Sequence, residues 1–260
     1  MQRRNFLASS LAASAAAFSL TKETQAQETP VREYYDLRKY TMQSGPETKL
    51  AATYFETALI PALNRLGIAP IGVFTVDVGP DTPTLYLLLP SKSLQTLVTA
   101  DLLLAKDEAF VKAATPFWSA PAIAPAFKRV DSTLLIAFEG HPLITPPAKE
   151  KRIFQLRTYE SPSNNAHIAK VKMFHSGEFD YFKRAGAGQV FYGDALIGER
   201  LPQLTYMLTF PDLPSLQACW KAFSADPEWK KLSSDPRFAY ESIVSNITNL
   251  YLNPTSYSQI

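Results

Sequence analysis

Apolar and polar positions change period along the chain in an order that occurs twice. Residues 31–41 alternate and are rich in Tyr, Leu and Val, the pattern of a strand. Ser44-Gly45-Pro46 breaks the chain, and Leu50, Ala51, Tyr54, Phe55, Ala58, Leu59, Leu63 and Leu66 then keep helical spacing. Pro61 should kink or split that helix and Gly67 should close it. Spans 71–78 and 84–89 read as a hairpin around Gly79-Pro80-Asp81. A second helical region covers 91–114, and a fourth strand 130–138. The later half repeats this, with strands at 153–160, 189–196, 204–210 and 241–252 and helical regions at 165–185 and 213–233.

Residue identities repeat as well. Tyr35-Asp36-Leu37-Arg38-Lys39-Tyr40 returns as Phe154-Gln155-Leu156-Arg157-Thr158-Tyr159, a shift of 119 positions. The same shift relates Phe55 to Phe174, Leu63 to Phe182, Gly67 to Gly186, Asp107 to Asp226 and Phe110 to Trp229. Tyr86 and Tyr206, one position off, are read as equivalent strand residues. A duplicated module with small loop slips leaves this trace, and the proline-rich stretch from Glu139 to Glu150 reads as the linker between copies. A βαββαβ order places both helices on one face of a four-stranded antiparallel sheet and leaves the other face bare. Two such sheets in one chain cover each other at a gain of roughly 25 cal/mol per Å² of apolar surface. The expected architecture is an internal pseudo-dimer with its sheets facing.

Composition narrows the class. Of 260 residues, 46% are hydrophobic and 19% charged, which excludes a disordered chain, and a net charge of +2 argues against a nucleic-acid partner. Residues 1–26 open with Arg3-Arg4, continue through an Ala/Ser/Leu/Phe segment to Leu20 and end at Ala26, and they resemble a bacterial twin-arginine export signal. Its removal leaves basic and acidic residues equal in number and no membrane-spanning segment. The expected destination is the periplasm or the extracellular space. Cys219 is the single cysteine, so no intrachain disulfide forms, and Leu216, Trp220 and Phe223 around it imply a buried, inert thiol.

Three features resemble the NIPSNAP family: Leu156-Arg157-Thr158-Tyr159 with its partner Leu37-Arg38-Lys39-Tyr40, the helix-ending Gly186 and Gly67, and Ala225-Asp226-Pro227-Glu228-Trp229. The first copy departs in carrying Lys106-Asp107-Glu108-Ala109-Phe110, and the second in its first turn, Ser161-Pro162-Ser163-Asn164-Asn165. The resemblance implies an α+β fold, two ferredoxin-like βαββαβ repeats forming an intrachain dimeric α+β barrel. The expected organisation is an export signal at 1–26, a first repeat at 31–139, a linker at 140–151 and a second repeat at 152–254. No agreed family activity comes with it.

Alternation separates two faces of each first strand. Tyr35, Leu37, Phe154 and Leu156 are expected to face the helices. Arg38, Tyr40, Arg157 and Tyr159, with Tyr86 and Tyr206, are then expected to line the inside of the barrel, where guanidinium and phenol donors suit an anionic or carbonyl ligand. The competing reading pairs each arginine with a local acid and leaves the tyrosines as filling. His167 and His175 lie two helical turns apart and cannot share a metal. His175 is also a haem-ligand candidate, or else a surface histidine on an amphipathic helix. No nucleophile elbow, phosphate loop or zinc motif occurs, so no catalytic residue is assigned, and the cofactor is left open with none expected. The expected function is an exported small-ligand-binding or interaction module. A cofactor-free monooxygenase acting on an aromatic or carbonyl compound is the alternative, and haem binding a third reading. A second copy of the chain could join through exposed sheet edges. A polar space between the sheets would favour the enzyme, and a solid apolar filling would oppose it.

Overall fold

A computed structural model describes residues 31–260 apart from Asp77 and Pro80; the expected export signal lies outside the described residues. The first repeat comprises β1 (Tyr34–Thr41), a helix α1 over 46–65, β2 (Gly72–Val76), β3 (Thr84–Ser91), short helices α2 (Leu94–Val98), α3 (Ala100–Leu104) and α4 (Glu108–Trp118), and β4 (Arg129–Ala137). The second comprises β5 (Ile153–Glu160), α5 over 164–185, β6 (Gly188–Ile197), β7 (Gln203–Phe210), α6 (Leu213–Ala225), α7 (Pro227–Ser233), the turn α8 (Tyr240–Ile243) and β8 (Asn246–Pro254).

Local chemistry explains where these elements start and stop. The region at 91–114 is cut into pieces because Ser93 and Asp107 cap new helices, accepting from the backbone N–H groups of Thr96 and Phe110. Asp226 caps α7 in the same way. The end of the long helix is tied to these caps in both repeats, by Arg65 on Asp107 and Arg184 on Asp226. Gly67 and Gly186 close their helices at φ 78° and 91°, a conformation that favours glycine. The last strand starts later than its alternation implies, because 240–243 turn helical to bury Ile243.

The interruption expected at Pro61 takes the form of a π turn, Tyr54–Leu59, just ahead of the proline. In α5 the matching stretch, Phe174–Glu178, is broken at Gly177, whose φ of 128° kinks the chain between two helical pieces, and no proline follows. Both long helices are thus interrupted at the same place, by a π turn ahead of Pro61 in one and by a glycine kink in the other.

Each repeat forms an antiparallel four-stranded sheet, ordered β4-β1-β3-β2 and β6-β7-β5-β8. Pairing of β2 with β8 and of β4 with β6 closes the two into one eight-stranded barrel. This is the dimeric α+β barrel built within a single chain. Closure pairs the edge strands of the two sheets with each other.

The barrel interior is apolar and filled from both repeats. Tyr35 meets Phe191 at 5.0 Å and Phe74 meets Phe154 at 4.8 Å, with Leu37, Leu88, Leu156 and Met207 in the same cluster. Tyr35, Leu37, Phe154 and Leu156 thus point into the barrel, and Arg38, Tyr40, Arg157 and Tyr159 point to the helices, the reverse of the expectation. Alternation says which side chains share a face; the middle of the closed barrel takes the face that carries Tyr35, Leu37, Phe154 and Leu156 rather than the two arginines. One end of the interior is polar, a cavity of about 130 Å³ whose lining includes Lys39, Tyr86, Asp131 and Arg200.

Because one core serves both repeats, unfolding should be a single cooperative transition. Phe154→Ala should cost about 3–5 kcal/mol and lower the urea midpoint of both repeats together. Two separated transitions by circular dichroism and tryptophan fluorescence would contradict the shared core.

Candidate functional site: a cleft between the first sheet and its helices

Asp36, Arg38 and Tyr40 alternate onto the face of β1 that α1–α4 cover. The Arg38 Nε donates to Asp36 Oδ2 at 2.6 Å, and Nη1 reaches both oxygens of Asp101 at 3.1 and 3.2 Å. Ser132, opposite Arg38 on β4, donates to Asp36 Oδ1 at 2.6 Å. Burial works against the Arg38 charge, but Asp36 and Asp101 more than offset it and hold the guanidinium protonated.

Aromatic side chains build the far wall. Tyr54, from the π turn, stacks on Phe117 at 4.0 Å and accepts the Trp118 indole N–H at 3.0 Å. Burial raises the pKa of the Tyr54 and Tyr40 phenols, so both keep their protons near neutrality. Between these groups lies an open cleft of about 600 Å³, within the size range of small-molecule sites.

The second repeat keeps the arginine and changes its company. Gln155 stands for Asp36 and Trp220 for Asp101, both at the shift of 119. Gln155 donates to Asn249 at 2.9 Å and accepts from Trp220 Nε1 at 2.8 Å. The Trp220 ring lies 4.4 Å from the Arg157 guanidinium, and Arg157 donates to the Tyr159 hydroxyl at 2.8 Å. An indole thus fills the space that the Asp101 carboxylate leaves open.

A family model described as NIPSNAP matches residues 35–134 and 154–259. The chain belongs to the NIPSNAP family. Among solved structures, a proposed monooxygenase of Lactobacillus acidophilus NCFM is similar over 86% of this chain and 94% of its own, with a TM-score of 0.57 at 10% identity. A proposed monooxygenase of Fusobacterium nucleatum covers 86% of this chain and 93% of its own, with a TM-score of 0.53 at 9% identity. An uncharacterized NIPSNAP-like domain protein of Burkholderia xenovorans matches 42% of this chain and 90% of its own, with a TM-score of 0.37 at 20% identity. The first two likenesses are ones of fold. No curated protein matches the chain in sequence.

The two NIPSNAP repeats divide the six candidate residues. Arg38 and Tyr40 belong to the open cleft. Arg157, Tyr159 and Tyr206 meet in the second repeat, with the two phenol oxygens 3.4 Å apart. Tyr86 stands apart at the polar end of the barrel, its hydroxyl pushed up to about 12 by burial. Tyr86 and Tyr206 are not equivalent: Arg38 pairs with Leu87 where Arg157 pairs with Tyr206, so the one-position offset moves the two tyrosines to opposite faces. His175 is exposed and uses both ring nitrogens, one toward the Val171 carbonyl at 2.9 Å and the other accepting the Gly140 N–H at 3.1 Å. That arrangement does not fit a haem ligand. Cys219 is buried, and burial pushes its thiol up to about 11, in line with an inert role.

Sequence patterning missed several members of this NIPSNAP protein's polar set. Asp36 lay two residues from Arg38 on the same face and could have been read from the alternation. Asp101, Ser132, Tyr54 and Trp118 come from distant elements and carried no local signal. Lys170 and Glu178 were also missed. They are fully buried in α5, 3.0 Å apart, with the Lys170 ammonium 4.5 Å from the Phe174 ring centre. The kink at Gly177 breaks the helical phase just ahead of Glu178, which then lies against Lys170. Burial pushes Lys170 down and Glu178 up, and each opposes the shift of the other.

The first repeat has Ala51 and Leu59 at the positions of this buried pair. Lys170→Met should therefore destabilise by about 3–5 kcal/mol, because it strands the Glu178 carboxylate, while adding Glu178→Leu should restore most of the loss. Urea unfolding of the single and double variants checks this.

Proposed function

We propose that this is an exported small-ligand-binding NIPSNAP protein whose ligand site is the cleft of the first repeat. What supports the reading is the contrast between two copies of one module. Both retain the arginine and the tyrosine on the helix-facing side of the sheet; a cleft opens beside Arg38, whereas the Trp220 ring lies against Arg157. Arg38 is already neutralised by two carboxylates, which disfavours a strongly anionic ligand. Phenol donors at Tyr40 and Tyr54, carboxylate acceptors at Asp36 and Asp101, and the rings of Phe117 and Trp118 suit a small aromatic compound bearing hydroxyl or carbonyl groups. Export is supported by the Arg3-Arg4 opening and the Ala-rich segment ending at Ala26.

A second reading is a cofactor-free monooxygenase acting on such a compound. It draws on the names of the two fold neighbours and on the aromatic walls of the cleft. The middle of the barrel interior is filled by apolar side chains, and of the residues expected there Tyr86 lines the small polar cavity at one end.

Titration with a panel of phenols should quench Trp118 fluorescence, and Trp118→Phe should remove the response. Asp101→Trp, which installs the residue of the second repeat at an exposed position, should abolish binding without unfolding the protein. Arg38→Ala should weaken binding about tenfold, equivalent to about 1.4 kcal/mol. Absence of quenching with every phenol, together with no co-purifying mass by native mass spectrometry, would defeat the ligand reading. Oxygen uptake with the same panel would favour the enzyme, and N-terminal sequencing of protein recovered outside the cytoplasm tests export.

A further inference from the structure

We infer that the ligand of this cleft is an amphiphile, with a polar aromatic head seated against Arg38 and a hydrocarbon tail leaving past Val98 and Ile197. The inference rests on the reading of the cleft as a ligand site and names the class of molecule it takes. Polarity is graded from floor to mouth. The Arg38 and Asp36 side chains are only 12% and 11% exposed, and Tyr40 is buried. At the mouth, Val98 and Ile197 line the same cleft at 59% and 64% exposure, beside a partly exposed Trp118. Asp101, also exposed, gives the mouth one polar side.

Val98 ends α2 of the first repeat, whereas Ile197 ends β6 of the second. Ile197 reaches the cleft because β6 pairs with β4 at Leu134 and Ile197, so the apolar mouth is a product of barrel closure. Leu94 and Leu102 continue the exposed apolar surface on α2 and α3. Single exposed aliphatic residues are ordinary, but two drawn from separate repeats onto the mouth of one cleft form a surface that a tail would dry. A wholly polar ligand would leave both in water.

The test is a tail-length series read by Trp118 fluorescence on the full chain: phenol, para-butylphenol and para-octylphenol, each below its aggregation concentration. Affinity should rise about three- to fourfold for each methylene that becomes buried, then level off once the tail clears the mouth. Val98→Asp and Ile197→Asp should flatten that rise. Ile168→Asp, an equally exposed aliphatic position on α5, should leave it unaltered and so controls for non-specific association. Equal affinity along the series, or a rise that survives both rim variants, would overturn the amphiphile inference while leaving phenol binding standing. No binding by phenol or either alkylphenol would instead remove the cleft as a ligand site.

Discussion

Mutual covering of two sheets is the constraint from which the rest follows. A four-stranded sheet with helices on one face keeps a second face that water would wet, and here each repeat supplies the cover for the other. The contacts of Tyr35 with Phe191 and of Phe74 with Phe154 cross between repeats, so the barrel core is shared, while each repeat keeps a further core between its sheet and helices. Pairing of β2 with β8 and of β4 with β6 then removes the unpaired edges that such sheets would otherwise present. With the middle of the interior taken up by apolar packing, Arg38 and Arg157 lie in the layer between sheet and helices, and Lys39 at the polar end of the barrel.

Duplication supplied that layer twice, and the copies diverged in opposite directions. Around Arg38 the partners are carboxylates, at Asp36 and Asp101, and the space beyond them stays open. Around Arg157 they are an amide and an indole, at Gln155 and Trp220, and the space is closed. The second repeat also holds the Lys170–Glu178 pair beside the kink at Gly177, where the first has Ala51 and Leu59. A buried ion pair of this kind contributes little net stability compared with apolar residues of the same volume. One repeat has thus become a filled structural half and the other a half with a usable cleft.

The cleft also depends on local geometry in the long helix. The π turn in α1 places Tyr54 over Phe117 and within reach of Trp118, and the kink at Gly177 in α5 leaves Glu178 against Lys170. Ile197 shows how closure completes the site, since a residue of the second repeat forms part of the mouth of a cleft in the first.

The sequence by itself determined the element types, the duplication and hence the fold, because helical and strand periods and a constant shift between copies are local, repeated signals. It also marked Arg38, Tyr40, Arg157, Tyr159 and Tyr206 as residues that share a face within their strands. Which face met the helices was decided only by tertiary structure: period-two alternation is symmetric between the two sides of a sheet, and it was the desolvation cost of a guanidinium that kept Arg38 and Arg157 out of the sealed barrel. The fate of Tyr86 was likewise a matter of register, since one position in a strand exchanges the two sides. Asp101, Ser132, Tyr54, Trp118 and Ile197 converge on Arg38 from five separate elements, and only the folded chain brings such distant segments within reach of one another.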